Sequence, residues 1–283
     1  MKFFKIFLAT LLAMVVGTVL SWVLCLVIFV GMASSMEGTT QAVITPQTIV
    51  KIDLAENITE APTKNPMAGF DFATMTMAKS THLLKVLQSI EAAKGDARVK
   101  GIYLNFTGLG GITTGAMEEM RAALVDFKQS GKFVVAYNET YSQGAYYLAS
   151  AADKIYLHPE GGFSWVGLAQ SSLFMKGALD KLGLKAEAFR PTACKYKSAV
   201  EPFFLTKMSD ANRAQNQQLA NTMWGIITEA VSKSRGISVE ALNQLADDLA
   251  ITLPSEAVEH KFIDATLYAD QVEELFKSEY GIE

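Results

Sequence analysis

Lys197 lies in the stretch from Arg190 to Phe204, among apolar and neutral neighbours, and the nearest acid is Glu201. A lysine buried without a fixed acidic partner is pushed toward its neutral form, the state in which an amine can accept a proton. Arginine cannot do this, because its guanidinium keeps its proton. Lysines are seldom fully buried, however, so Lys195 and Lys197 flanking a tyrosine on a solvated loop is the competing expectation. Composition does not choose between the two.

A base needs a nucleophile, and the serines are less promising. Ser142 stands immediately before a helix signal at Gln143-Gly144-Ala145. Serine before a helix is the common N-cap residue, and attack requires Oγ within about 3 Å of the base. Ser198 adjoins Lys197, but neighbours on an extended segment point to opposite sides. Cys194, beside two lysines, offers a thiol of lowered pKa, although lone cysteines more often fill small apolar spaces. His82, His158 and His260 are scattered and recommend no triad. Asn105 to Gly111 is rich in glycine, and the backbone N–H groups of Gly110 and Gly111 are candidate oxyanion donors. The same glycines also read as a plain turn. Neither Walker nor Rossmann spacing is present, and no metal motif or cofactor is indicated.

The elements that must position these residues follow from the pattern of the chain. Lys2 and Lys5 precede an uncharged apolar run from Ile6 to Ala33, longer than the roughly 20 residues a membrane helix needs and than the apolar core of a cleavable signal peptide. The expected organisation is an anchor over 1–36, a linker over 37–47 and one domain over 48–283. Lysines before the run place the N-terminus in the cytoplasm and the bulk of the chain outside it. A net charge of −4 gives no electrostatic case for nucleic acid. Cys25 falls in the anchor and Cys194 outside it, which excludes a disulfide between them.

Beyond the linker, strands and helices alternate. Strands are expected at 49–54, 99–106, 133–137, 154–157 and 186–189. Helices are expected at 80–93, around 117–127, and at 143–152, 173–182, 210–234, 237–249 and 271–280, with a short one opening at Leu253. Residues 56–79 read as a long irregular insertion. Such alternation argues for an α/β fold with substantial parallel pairing.

The runs Tyr196-Lys197-Ser198-Ala199-Val200-Glu201-Pro202-Phe203 and Met208-Ser209-Asp210-Ala211-Asn212-Arg213 resemble the first half of the long form of the signal peptide peptidase A family, also called protease IV. Tyr141 to Ser150 and Ala152 to Leu157 resemble the same half, and the likeness runs from about Thr48 to the C-terminus. It implies a Clp protease/crotonase-like spiral of repeated β-β-α units with one N-terminal transmembrane helix. It also implies a serine endopeptidase that degrades cleaved signal peptides through a Ser/Lys dyad, with Lys197 at the lysine position. In serine-bearing halves the motif resembles Ser-Gly-Gly-Tyr. Aligning Gly144 with its first glycine puts Gln143 where the serine stands, and glutamine cannot attack a carbonyl. The serine is therefore expected from a second domain or another chain.

The implied partners are signal peptides or other apolar peptides, the membrane, and further copies or a serine-bearing domain in a ring. The implied location is the bacterial inner membrane, with the domain on its outer side. The alternative is a non-catalytic assembly module of such a ring. An acyl-CoA enzyme of the crotonase type is disfavoured by the anchor, since CoA esters are cytoplasmic.

Overall fold

The computed structural model describes residues 2–36, 44–54, 57–60, 70–71, 76–77, 80–106, 111–189, 191 and 193–282. It divides into two compact units, Met1–Ile44 and Thr45–Glu283. Among its described residues the first holds one helix, α1 (Lys2–Met36), 35 residues long. Its rise of about 1.5 Å per residue makes it longer than the hydrocarbon core of a bilayer. Large apolar side chains are exposed along it from Phe3 to Ile28, as a helix in lipid requires, so this N-terminal element fits a membrane anchor.

The second unit is mixed α/β. In chain order it contains β1 (Thr48–Asp53), β2 (Asn57–Thr59), β3 (Phe70–Asp71), β4 (Thr76–Met77), β5 (Ser80–His82), α2 (Leu83–Gly95), β6 (Val99–Asn105), α3 (Thr114–Lys128), β7 (Phe133–Tyr141), α4 (Gln143–Ala149) and β8 (Lys154–Phe163). There follow α5 (Lys176–Lys181), α6 (Glu201–Phe204), α7 (Asp210–Arg235), α8 (Val239–Asp247), α9 (Pro254–Glu259), β9 (Ala265–Thr266) and α10 (Ala269–Tyr280). The main sheet has five strands in the order β1-β6-β7-β8-β9, and every neighbouring pair is parallel. A parallel sheet needs cover on both faces, and the burial of β6 reflects it. Ile102 and Leu104 belong to the larger core, whereas Tyr103 between them belongs to a smaller cluster with Val135, Tyr137, Val272 and Phe276. Val272 and Phe276 lie on α10, which therefore packs on the face opposite the larger core.

Aromatic edges knit the larger core. Tyr146 meets Phe163, Trp165 and Phe262 at centroid distances of 4.9, 6.0 and 5.4 Å, within the range of favourable ring contacts. Their polar tips are satisfied, with Tyr146 Oη donating to the Phe262 carbonyl at 2.8 Å and Trp165 Nε1 to the Leu242 carbonyl at 2.9 Å. This cluster fixes α4, β8 and the chain around α8 and α9 to one another.

Two expectations need correction. The strand expected at 186–189 does not form. Residues 184–189 carry no regular structure and Phe189 is 95% exposed. On the side of β8 away from β7, the sheet is continued at Tyr156 and Leu157 by β9, from the chain near Ala265, and not by the segment that follows β8. Of the two expectations for Lys197 the solvated loop is borne out and the buried lysine is corrected, since the residue is exposed. Most of the irregular insertion at 56–79 lies outside the described residues; its described part contributes β2, β3 and β4.

Candidate functional site

Ser164 to Val200 forms an arm that leaves the sheet after β8 and returns at α6, with α5 as its only helix among the described residues. Lys197 rides near its returning end, in a turn where the Lys197 N–H donates to the Cys194 carbonyl at 3.1 Å. Around it the arm presents Tyr196, Val200 and Phe203 to solvent, and further out Leu173, Leu182, Leu184 and Phe189. Cys194 is half-buried and Ser198 likewise, whereas Lys195 is exposed and lies over the Tyr196 ring at 5.0 Å from its centroid.

Both roots of the arm are held by side chains. At the outgoing root, the Gln143 amide takes three backbone groups. Its Oε1 accepts from Val166 N at 2.9 Å and Gly167 N at 3.1 Å, while its Nε2 donates to the Gly167 carbonyl at 3.0 Å. Gly167 adopts φ +77°, a conformation suited to glycine. At the returning root, Glu201 is fully buried. Its Oε2 accepts from Ser209 N at 3.2 Å and Asn212 Nδ2 at 3.0 Å, and its Oε1 accepts from the Ser209 hydroxyl at 2.7 Å. A carboxylate at the start of α7 complements the helix dipole, and Ser209 itself caps the helix by accepting from Asn212 N.

Ser142 is exposed and caps α4, its Oγ accepting from Ala145 N at 3.3 Å. Gly110 lies outside the described residues. Gly111 is described, and its geometry speaks against a free oxyanion donor, because its N–H is given to Asn57 Oδ1 at 2.6 Å and its carbonyl accepts from Ile58 N. Among the described residues no group of three or more His, Cys, Asp or Glu side chains could hold a metal ion. His82 pairs through Nδ1 with Thr59 Oγ1 at 2.9 Å, joining β5 to β2. His158 Nδ1 accepts from Glu160 N, a local turn contact.

Where α3 and α4 begin, a largely apolar cleft of about 200 Å³ opens against α7, lined by Met117, Gln143, Tyr147, Leu168 and Ile226 among others. The cleft can take an apolar side chain. The residue at its head is Gln143, which has no nucleophilic atom. Sequence reasoning placed Gln143 at this position but missed that its amide is the outgoing anchor of the arm. Glu201 was noted only as the acid nearest Lys197. Its position four residues after the lysine and eight before a capping serine is the signal that could have found it.

A family model for peptidase family S49 matches residues 126–283. The chain belongs to peptidase family S49. Protease 4 of Salmonella typhi is 33% identical over 242 residues, covering 81% of this chain and 39% of that protein. Protease 4 of Haemophilus influenzae is 39% identical over 157 residues, covering 56% of this chain and 25% of that protein. The chloroplastic serine protease SPPA of Arabidopsis thaliana is 26% identical over 201 residues, covering 71% of this chain and 29% of that protein. The S49 chain thus spans well under half the length of these relatives.

Proposed function

We propose that this S49 chain is the lysine-bearing part of a membrane-anchored serine endopeptidase that degrades cleaved signal peptides. In this reading Lys197 is the general base, and the serine comes from a second domain or another chain. The observation that carries the reading is the arm, on which Lys197 is exposed in a setting of exposed tyrosine, valine and phenylalanine side chains. Large apolar side chains exposed close together along the chain suit a surface that a partner covers. A second domain that covers it would bring its serine to the side of the arm that carries Lys197.

The serine-bearing surface would supply the nucleophile that Gln143 cannot, and its hydroxyl would pass its proton to Lys197 as it attacks the peptide carbonyl. The chain would form a Clp/crotonase-like spiral domain within a homo-oligomer or a ring of mixed domains. Lys2 and Lys5 would hold the N-terminus in the cytoplasm of a bacterial cell, with the domain beyond the inner membrane. Apolar peptides are the substrate class, and neither cofactor nor nucleic acid has a part.

The test is labelling with a serine-reactive fluorophosphonate. The chain alone should not react, and adding a serine-bearing S49 domain should produce labelling of that domain that Lys197→Ala abolishes. Labelling of Ser142 in the isolated chain, or full activity of the Lys197→Ala assembly, would overturn the proposal. The second reading is a non-catalytic assembly module, favoured by the exposure of Lys197 and the capping role of Ser142. Retained activity in the Lys197→Ala assembly would support it.

A further inference from the structure

We infer that Gln143 and Glu201 act as a pair of positioning residues that hold the Lys197 arm at its two roots. The inference rests on the reading of Lys197 as the base. The arm has little internal structure of its own, since among its described residues there is no strand and one helix, α5, of six residues. What fixes its path is therefore where its ends are pinned.

At the outgoing end Gln143 uses both its amide oxygen and its amide nitrogen on consecutive residues, Val166 and Gly167. No other side-chain amide reaches that turn among the described residues. At the returning end, Glu201 places both carboxylate oxygens on the first turn of α7 through Ser209 and Asn212. The Glu201 N–H meanwhile donates to the Ser198 carbonyl at 2.9 Å, closing the turn one residue beyond the lysine. A rigid tie thus runs from α7 through Glu201 and Ser198 to Lys197. Met175 N donates to the Pro202 carbonyl at 2.7 Å, so the two limbs of the arm are also tied across to each other.

Gln143 and Glu201 hold opposite ends of the same segment, and neither is suited to proton transfer here. Glutamine does not titrate, and the Glu201 carboxylate is occupied in capping. The residue that stands where serine-bearing halves carry the nucleophile has become a bracket for the base. Proton transfer needs heavy atoms within about 3 Å of each other, so a small loss of register in the arm weakens the chemistry without altering how peptide is bound.

The test uses the full chain in membrane or detergent, assembled with a serine-bearing S49 domain, and a fluorogenic apolar peptide. Glu201→Ala and Gln143→Ala should each lower kcat by about tenfold to a hundredfold while KM stays within about twofold. Glu201→Gln keeps one acceptor oxygen for Ser209 N and Asn212 Nδ2, and Gln143→Glu keeps acceptors for Val166 N and Gly167 N while losing the donor to the Gly167 carbonyl, so each should recover part of the lost kcat. Tryptic cleavage after Lys197 in the unassembled chain should accelerate in both alanine variants. If Glu201→Ala fails to fold, Ser209→Ala removes a single bond of the same tie and should lower kcat in the same sense.

Unchanged kcat in both alanine variants, with activity abolished by Lys197→Ala, would overturn the positioning role alone. A parallel loss of kcat, KM and assembly, with no recovery in the conservative variants, would make the two residues merely structural and overturn it as well. Activity that survives Lys197→Ala removes the base itself, and the proposed function fails together with this inference.

Discussion

Arg121 is 7% exposed, yet no carboxylate meets it among the described residues. Its Nη1 donates to the Tyr147 carbonyl at 2.5 Å and Ser150 Oγ at 2.7 Å, and its Nη2 to the Ala230 carbonyl at 3.0 Å and Ser234 Oγ at 2.6 Å. The guanidinium also lies over the Tyr147 ring, 5.0 Å from its centroid. One side chain on α3 thus ties α4, which carries Gln143, to α7, which receives Glu201. Arg121→Met keeps most of the volume and removes these bonds.

Hydrogen bonds to a charged donor contribute about 1.5–3 kcal/mol each, so the gross loss is several kcal/mol. Opposing it, methionine relieves the burial of a cation, a penalty large enough to lower the Arg121 pKa. Some acceptors also keep a partner, since Ser150 Oγ still donates to the Tyr147 carbonyl at 2.9 Å. The balance should be a loss of about 2–4 kcal/mol, a large share of the roughly 5–15 kcal/mol of a folded domain. Urea unfolding of the full chain in detergent, followed by the fluorescence of Trp165 and Trp224, measures it. With a slope of about 2–3 kcal/mol per molar, the midpoint should drop by about 1 M. An unchanged or raised midpoint would refute the reasoning, because it would mean that burial of the charge outweighs the bonds it makes.

Two further outcomes follow from buried tyrosines. Tyr141 Oη is buried with no hydrogen-bond partner among the described residues, while its ring packs edge-on to Phe106 and Phe163. Tyr141→Phe should therefore stabilise the fold by about 1 kcal/mol; a loss of that size in urea unfolding would instead reveal a bound water as partner. Burial also raises the pKa of Tyr103, Tyr141 and Tyr146, and pushes Tyr156 up to about 12 from 10.0. Because the folded chain holds these protons more tightly, their contribution is full below pH 10 and is lost as pH rises through the folded values. The urea midpoint should fall from about pH 10 upward, and a flat midpoint from pH 10 to 12 would show that these phenols reach water in the fold.

Much of the scaffold was legible in the chain. Apolar periodicity placed α2, α3 and α7 close to their observed bounds, and Ser209 announced the start of α7 because a serine before an apolar helix meets its own N–H groups. The run from Val99 to Phe106 was readable as a strand, and the apolar run after Lys5 as one helix long enough to span a membrane. The motif from Tyr196 to Phe203 was enough to mark the family. The strand expected at 186–189 does not form, and the sheet continues from β8 to β9, a pairing between distant parts of the chain that no local pattern contains.

The sequence by itself determined most of the longer helices and strands and the long apolar helix at the N-terminus, because those depend on neighbours a few residues away. Tertiary structure decided that Lys197 stands on an exposed arm, that Gln143 grips Val166 and Gly167 across 23 and 24 residues of chain, and that Glu201 is spent on α7. Those outcomes depend on which backbone groups are left unpaired once the sheet has closed, and that is fixed only when distant elements pack.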